Sequence, residues 1–146
     1  MKYLAIGDEI PATTAPCYTL GFPGIMSREG KVATYVSEDV TVTGGLVNKI
    51  YQEDTVNYIA FSATTGQGGS GGPLVNYAGD VIGVTKAYLS EDGSSKDFMV
   101  AVNVSELRKV LDRLGVEYDV ADGNVNPDPD PNPDPNPDPN PDQDPA

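Results

Sequence analysis

Short apolar runs separated by turn residues make up most of the chain before position 103. The runs are rich in β-branched and aromatic side chains, and Gly, Asn, Asp and Ser cluster between them, which is the pattern of β-strands joined by turns. It predicts eight strands, at residues 17–22, 31–36, 40–43, 46–51, 56–62, 72–76, 81–87 and 98–102. It also predicts a hairpin at residues 76–80 and a polar loop at 89–96.

One later segment has the period of an α-helix. Ser105 is predicted to cap its start, and Gly115 to end it. Its apolar positions share one face: Leu107, Val110, Leu111 and Leu114. Strands followed by one terminal helix predict an all-β domain, a single antiparallel β-barrel with a helix packed on its outside.

The last part of the chain has a different composition. Residues 126–146 alternate proline with Asp and Asn, which leaves no apolar face and removes backbone donors. We therefore expect a folded domain at residues 1–120 and a disordered, extended tail at residues 121–146. The net charge of −13 divides into about −7 for the tail and −6 for the body. This acidity argues against nucleic acid and anionic membranes as partners.

Cysteine content and the amino terminus limit the class of protein further. Cys17 is the single cysteine, so we expect no intrachain disulfide and a core position for its side chain. Residues 1–6 begin like a signal peptide, but Gly7 and Asp8 follow at once, and no apolar stretch is long enough to span a membrane. We interpret this as a chain whose upstream part, with its signal, is missing. A cytoplasmic protein is the alternative.

The candidate chemistry lies in residues 64–73, Thr-Thr-Gly-Gln-Gly-Gly-Ser-Gly-Gly-Pro. A hydroxyl on a sharply turned glycine backbone can attack a carbonyl while neighbouring N–H groups stabilise the oxyanion. Such a serine needs a base, usually histidine oriented by aspartate, and the chain has no histidine. Ser70 is therefore a predicted nucleophile without a base in this chain.

Other interpretations of the loop are weaker. An α/β-hydrolase needs a helix directly after its serine and a later histidine, whereas residues 73–76 have strand character. A phosphate-binding loop needs a Lys-Ser or Lys-Thr end. A flexible glycine loop without chemistry stays open, as does a Ser–Lys pair, although we expect the available lysines to be exposed: Lys86, Lys96 and Lys109. Three turn aspartates lack metal-ligand spacing, so we expect no metal or other cofactor: Asp80, Asp92 and Asp97.

Three segments together resemble a known family. Residues 69–76 (Gly-Ser-Gly-Gly-Pro-Leu-Val-Asn), 79–84 and 98–103 resemble the second barrel of trypsin-like, chymotrypsin-fold serine peptidases, closest to the bacterial high-temperature-requirement (DegP-like) branch. Upstream, residues 7–8, 18–24 and 41–47 follow in the family's order, so the likeness covers roughly residues 4–114. Residues 62–66 are also similar to glutamyl endopeptidases.

The resemblance implies one half of a two-barrel protein. In the family, His and Asp come from a first barrel and Ser from the second, with the active site in the crevice between them. It implies Ser70 as the catalytic nucleophile and an oxyanion hole at Gly68, Gly69 and Ser70, formed by the N–H groups of the first and last of these. It also implies a substrate-binding pocket whose walls come from five residues: Thr64 and Thr65 on one side, and Lys86, Ala87 and Tyr88 on the other.

The implied function is the C-terminal part of a secreted or cell-surface serine endopeptidase. It would cleave polypeptide substrates, with the missing N-terminal barrel as a partner in cis or in trans, and would be inactive alone. Acid-preferring members have a histidine near Thr85, which this chain lacks, so Lys86 is the remaining source of an acidic preference. One alternative is a catalytically dead, protease-like domain that binds peptides or proteins by strand addition. Another is an incomplete gene product without function.

Overall fold

The computed structural model describes residues 3–8, 10–22, 40–65, 68–89 and 98–121. Seven elements lie within these residues: β1 (Pro16–Gly21), β2 (Thr41–Glu53), β3 (Val56–Phe61), β4 (Pro73–Asn76), β5 (Val81–Leu89), β6 (Phe98–Asn103) and α1 (Val104–Leu114). The predicted strand at 31–36, the loop at 89–96 beyond its first residue, and the predicted tail after residue 121 lie outside the described residues.

The six strands close into one antiparallel barrel. Their order around the barrel is β1-β2-β3-β6-β5-β4, and β4 pairs with β1 to complete the ring. Every neighbouring pair runs antiparallel. The predicted all-β barrel with one C-terminal helix is confirmed.

β2 is longer than the sequence pattern predicts. The strands expected at 40–43 and 46–51 are one continuous element, Thr41–Glu53. Its first half pairs with β1 and its second half with β3. Near the place where these two halves meet, a Cβ on Gly45 would lie 2.2 Å from the Ala63 nitrogen. Only glycine therefore lets the backbones at Gly45 and Ala63 approach this closely. The glycines that look like a break in the sequence are therefore part of the strand.

Alternating inward-facing side chains fill the barrel. Its core consists of Cys17, Val47, Ile59, Phe61, Ala63, Leu74, Ile82, Met99 and Ala101. Cys17 is fully buried, as predicted, and burial raises the pKa of its thiol to about 11. A second cluster includes Val81 and Val104 and has Leu107 packed against it, so it joins α1 to the outside of the barrel. The helix therefore packs outside the barrel as predicted.

The helix begins at a different cap from the one predicted. Asn103 is the N-cap, and its Oδ1 accepts a hydrogen bond from the Ser105 N–H at 2.9 Å. Ser105 lies inside the helix, so its predicted capping role is wrong. The physical reason is that Asn103, buried at the end of β6, reaches the free N–H groups of the first turn before Ser105 can. Gly115 ends the helix in the left-handed conformation, as predicted.

The described ends of the chain lie against the start of β5. Ile6 bridges both Val81 and Val120, and the Ala121 N–H donates to the Ile6 carbonyl at 2.9 Å. Residue 121, the last one described, is therefore fixed on the barrel. Among the described residues, no helix has the length and apolar character needed to cross a bilayer.

Candidate active site

Ser70 lies on an exposed turn just before β4. Backbone hydrogen bonds tie the turn to β5: the Gly71 N–H donates to the Thr85 carbonyl at 2.7 Å, and the Thr85 N–H donates to the Gly72 carbonyl at 2.9 Å. Ser70 itself is exposed, whereas Gly69 beside it is buried. The rigid barrel thus presents one hydroxyl to solvent at the rim next to β5.

The glycines of this turn have distinct roles. Gly68 and Gly71 have φ angles of 96° and 87°, in the left-handed region that side chains disfavour. Gly72 is required for space, because a Cβ there would lie 2.3 Å from the Leu20 carbonyl oxygen. These glycines therefore allow the sharp turn that was predicted around Ser70.

The hydroxyl of Ser70 is bonded to a backbone carbonyl. Its Oγ donates to the Lys86 carbonyl oxygen at 2.8 Å. A peptide carbonyl accepts a hydrogen bond but does not remove a proton at neutral pH, so this partner holds the hydroxyl without activating it. Among the described hydrogen bonds, no side-chain base reaches Ser70.

Neither described lysine that could serve as a base is directed at Ser70. The Lys86 Nζ lies 5.1 Å from the centre of the Tyr58 ring, and the Lys109 Nζ bonds to the Glu106 carboxylate at 2.9 Å. Both lysines are exposed, as predicted. Lys96 lies outside the described residues.

The predicted oxyanion residues are consecutive on the turn. Gly69 packs against β1, where a Cβ on Gly21 would lie 3.4 Å from the Gly69 Cα, and its carbonyl accepts a hydrogen bond from the Gly72 N–H at 3.2 Å. The turn is thereby closed on its inner side. The oxyanion hole at Gly68, Gly69 and Ser70 stays a prediction.

The predicted pocket residues come from two places. Thr64 and Thr65 follow β3, with Thr64 exposed and Thr65 buried, while Lys86, Ala87 and Tyr88 lie along β5. The Lys86 carbonyl joins the second set to Ser70. Their role in binding substrate stays a prediction.

β5 extends beyond its neighbour on one side. The last cross-strand pair with β4 is Pro73 with Val84, whereas pairing with β6 continues to Leu89. A register shift between Thr85 and Ala87 marks the place where the strand passes Ser70. Residues 87–89 therefore pair with β6 on one side, and residues 86–89 have no β4 partner on the other.

Two threonines near the site were not predicted from the sequence. The Thr43 Oγ1 donates to the Thr64 carbonyl and so ties one predicted pocket residue to β2. Thr85 is 2% exposed, and its Oγ1 has no hydrogen-bond partner among the described residues. Threonine at inward positions of an apolar strand is the signal that could have indicated both.

The remaining polar candidates are structural. The side chains of Asn76 and Asp80 bond to each other at 3.0 Å across the predicted hairpin, which confirms that turn. Asp92 and Asp97 lie outside the described residues. Within the part of the chain that is described, no group of three or more His, Cys, Asp or Glu is placed to hold a metal ion.

The closed antiparallel barrel with one C-terminal helix, carrying Ser70 on a glycine turn at its rim, has the architecture of a chymotrypsin-like barrel. The sequence profile of the trypsin-like peptidase domain matches residues 1–84, and the chain belongs to that family. The predicted relationship to trypsin-like serine peptidases of the DegP branch is confirmed by the relatives.

Two bacterial relatives illustrate the extent of the match. Periplasmic serine endoprotease DegP of Escherichia coli K12 is 32% identical over 83 residues, which are 53% of this chain and 17% of that protein. A probable periplasmic serine endoprotease, DegP-like, of Chlamydia trachomatis is 33% identical over 90 residues, 58% of this chain and 17% of that one. The matched region is therefore about a sixth of these relatives' length.

Solved structures share the fold. The HtrA-type protease AlgW with a decapeptide is 25% identical with a TM-score of 0.59, covering 76% of this chain and 32% of that chain. The Rv3671c protease from Mycobacterium tuberculosis, active form, is 21% identical with a TM-score of 0.60, covering 81% of this chain and 50% of that chain. The second comparison shows the fold alone.

Proposed function

We propose that this chain is the C-terminal barrel of a serine endopeptidase whose nucleophile is Ser70. The observation that carries the proposal is the exposed Ser70 hydroxyl on a glycine turn. This turn is held to β5 by hydrogen bonds to both the N–H and the carbonyl of Thr85. Membership of the trypsin-like peptidase family supports it. The general base and its orienting carboxylate come from a first barrel, in the same polypeptide or in another.

The reaction follows from this arrangement. A histidine from the first barrel replaces the Lys86 carbonyl as the partner of the Ser70 hydroxyl and takes its proton during attack on the substrate carbonyl. The N–H groups of Gly68 and Ser70, on either side of Gly69, stabilise the oxyanion. The amine leaves with the proton, and water then releases the acyl group from Ser70.

The substrate is a polypeptide in extended form. Residues 86–89 of β5 offer backbone groups with no β4 partner, and a peptide strand can pair there. Thr64, Thr65, Ala87 and Tyr88 form the walls of its side-chain pocket, and Lys86 favours an acidic neighbour. A solved structure of the HtrA-type protease AlgW is with a decapeptide, which supports peptide as the ligand class.

The chain alone is inactive, because a carbonyl partner cannot activate Ser70. A first barrel would also cover apolar side chains that are exposed here, such as Val42 at 58% and Leu114 at 66%.

The names of the DegP relatives place them in the periplasm, which supports an extracytoplasmic location for the complete protein.

Labelling with a fluorophosphonate probe tests the assignment. We expect no labelling of this chain, labelling of a polypeptide extended upstream through any encoded first barrel, and loss of that labelling in Ser70→Ala. Ser62→Ala is the matched control, because Ser62 is also exposed and its Oγ bonds to the backbone of Leu46, accepting from the N–H and donating to the carbonyl. Labelling that survives Ser70→Ala would contradict the assignment.

A second candidate is a protease-like domain that binds peptides without cleaving them. The bond from Ser70 to a carbonyl, together with the unpaired side of β5, favours it. In that case a folded, extended protein would bind an extended peptide but would not react with the probe. Circular dichroism of the extended protein separates this outcome from misfolding.

A further inference from the structure

Two tyrosines and two lysines form a continuous stack on the outside of the barrel. The rings of Tyr51 and Tyr58, paired across β2 and β3, lie 5.5 Å apart at 25°. The Lys49 Nζ lies 5.8 Å from the Tyr51 ring centre, and the Lys86 Nζ lies 5.1 Å from the Tyr58 ring centre. We call these four residues the tyrosine–lysine face. None of them takes part in the fold's core.

The charges of this face are not neutralised by the described part of the chain. Neither Lys49 nor Lys86 forms a salt bridge there, unlike Lys109, which is bonded to Glu106. At the Tyr51 end, burial raises the pKa of Tyr51 and the nearby Glu53 carboxylate adds to that effect. In a chain of net charge −13, two unpaired lysines flanking stacked rings are an exception to the prevailing charge.

We propose that the tyrosine–lysine face binds the chain's own acidic proline segment, residues 126–144. Stacked aromatic rings bind proline-rich segments in the polyproline II conformation, because the stiff helix loses little entropy. Lysines at both ends of the rings complement the aspartates between the prolines.

The spacing and the reach fit this occupant. Aspartates recur every four residues from Asp130 to Asp142, about 12 Å apart at ~3.1 Å per residue. The three contacts, of 5.8, 5.5 and 5.1 Å, limit the distance between the two Nζ atoms to at most about 16 Å, so two aspartates about 12 Å apart can each face one lysine. From Ala121, fixed on the barrel, 25 further residues reach about 75 Å in the same conformation, more than a domain of this size requires.

Tethering makes a weak contact sufficient. A segment on the same chain has an effective concentration in about the millimolar range, so the face need not bind a free peptide tightly. This inference does not depend on catalysis by Ser70, and its test reads contacts alone.

A spin label on the segment in the full-length chain tests the proposal. Asn136→Cys supplies the attachment point, since Cys17 is fully buried and does not compete for the reagent. We expect loss of the ring-proton signals of Tyr51 and Tyr58 but not of Tyr77, which is 47% exposed on the hairpin after β4. The signals should return in the double variant Lys49→Gln with Lys86→Gln. They should also return in about 1 M salt, where the screening length is ~3 Å.

Two control variants and a mixing experiment test the alternatives. Arg113→Gln removes an exposed cation elsewhere and should leave the signal loss unchanged. Replacing the six aspartates of residues 128–144 by asparagine keeps length and prolines and should weaken the loss. Equal broadening of all tyrosines, or loss that appears only when labelled and unlabelled chains are mixed, would overturn the proposal; the second result would indicate binding between copies.

Discussion

The N-cap of α1 gives the sharpest test of the structure against the sequence pattern. Asn103 is fully buried, and its Oδ1 accepts the Ser105 N–H at 2.9 Å, while its Nδ2 has no partner among the described residues. Asn103→Ser and Asn103→Ala both shorten the side chain and both remove the Nδ2 donor. The two variants differ in whether an oxygen remains to cap the helix.

The expected difference between them is therefore the cap alone. Losing a side-chain cap costs about 1 kcal/mol, within a range of about 0.5–2. For a domain of about 100 residues this corresponds to a melting temperature lower by roughly 4–8 °C in the Ala variant than in the Ser variant. Ser105→Ala should change the free energy of unfolding by less than about 0.5 kcal/mol, because its Oγ makes no hydrogen bond in the described structure.

Thermal and urea unfolding followed by circular dichroism measure all three variants in the full-length chain. Asn103 is not the stabilising cap if Asn103→Ser and Asn103→Ala unfold together, or if Ser105→Ala lowers the free energy of unfolding as much as Asn103→Ala does. The first result would mean that the cap contributes nothing, and the second would restore Ser105 as the capping residue.

Three further outcomes follow from single contacts. Gly72→Ala should lower the free energy of unfolding by more than about 3 kcal/mol in urea titrations, because its Cβ would lie 2.3 Å from the backbone oxygen of Leu20; near-neutral stability would contradict that packing. Cys17, with its pKa raised to about 11, should resist iodoacetamide at pH 8 until urea unfolds the chain, as read by mass spectrometry, and rapid native labelling would show an open core. The hydrogen bond from the Lys109 ammonium lowers the pKa of Glu106. The ionised carboxylate therefore stabilises the fold at pH values above the unfolded pKa of about 4.3. This stabilisation is lost as the pH falls through the lower pKa of Glu106 in the folded state. Melts at pH 7 and pH 3 should show Glu106→Gln costing less at the lower pH, and an equal cost at both would mean that the charge contributes nothing.

The local sequence predicted those features of the fold whose conformation depends on a single residue type. Gly115 ends α1 because it adopts a left-handed conformation, a property of the residue itself. The glycines around Ser70 likewise indicate a sharp turn from their own freedom. At residues 44–45 the prediction of two separate strands was wrong. Glycine normally indicates a break in a strand, and only the three-dimensional structure shows the backbone that packs against Gly45.

The candidate site divides in the same way. Ser70 and its glycine turn could be found from the sequence, because the chemistry is contained in a few neighbouring residues. The hydrogen bond to the Lys86 carbonyl and the threonines at positions 43 and 85 could not, because each joins segments that are distant along the chain. Pocket roles for Thr64, Thr65, Ala87 and Tyr88 rest on resemblance.

The sequence alone determined the class of fold, the candidate nucleophile, the lack of histidine and the family resemblance, because strand period, turn residues and motif order are local properties of the chain. Tertiary structure decided that six described strands close into a ring, that Asn103 rather than Ser105 caps the helix, and that the Ser70 hydroxyl lies against β5. It also brought Lys49 and Lys86 to the two ends of one aromatic stack. These facts depend on which strands become neighbours, and that is set by long-range packing, which no local window of the sequence contains.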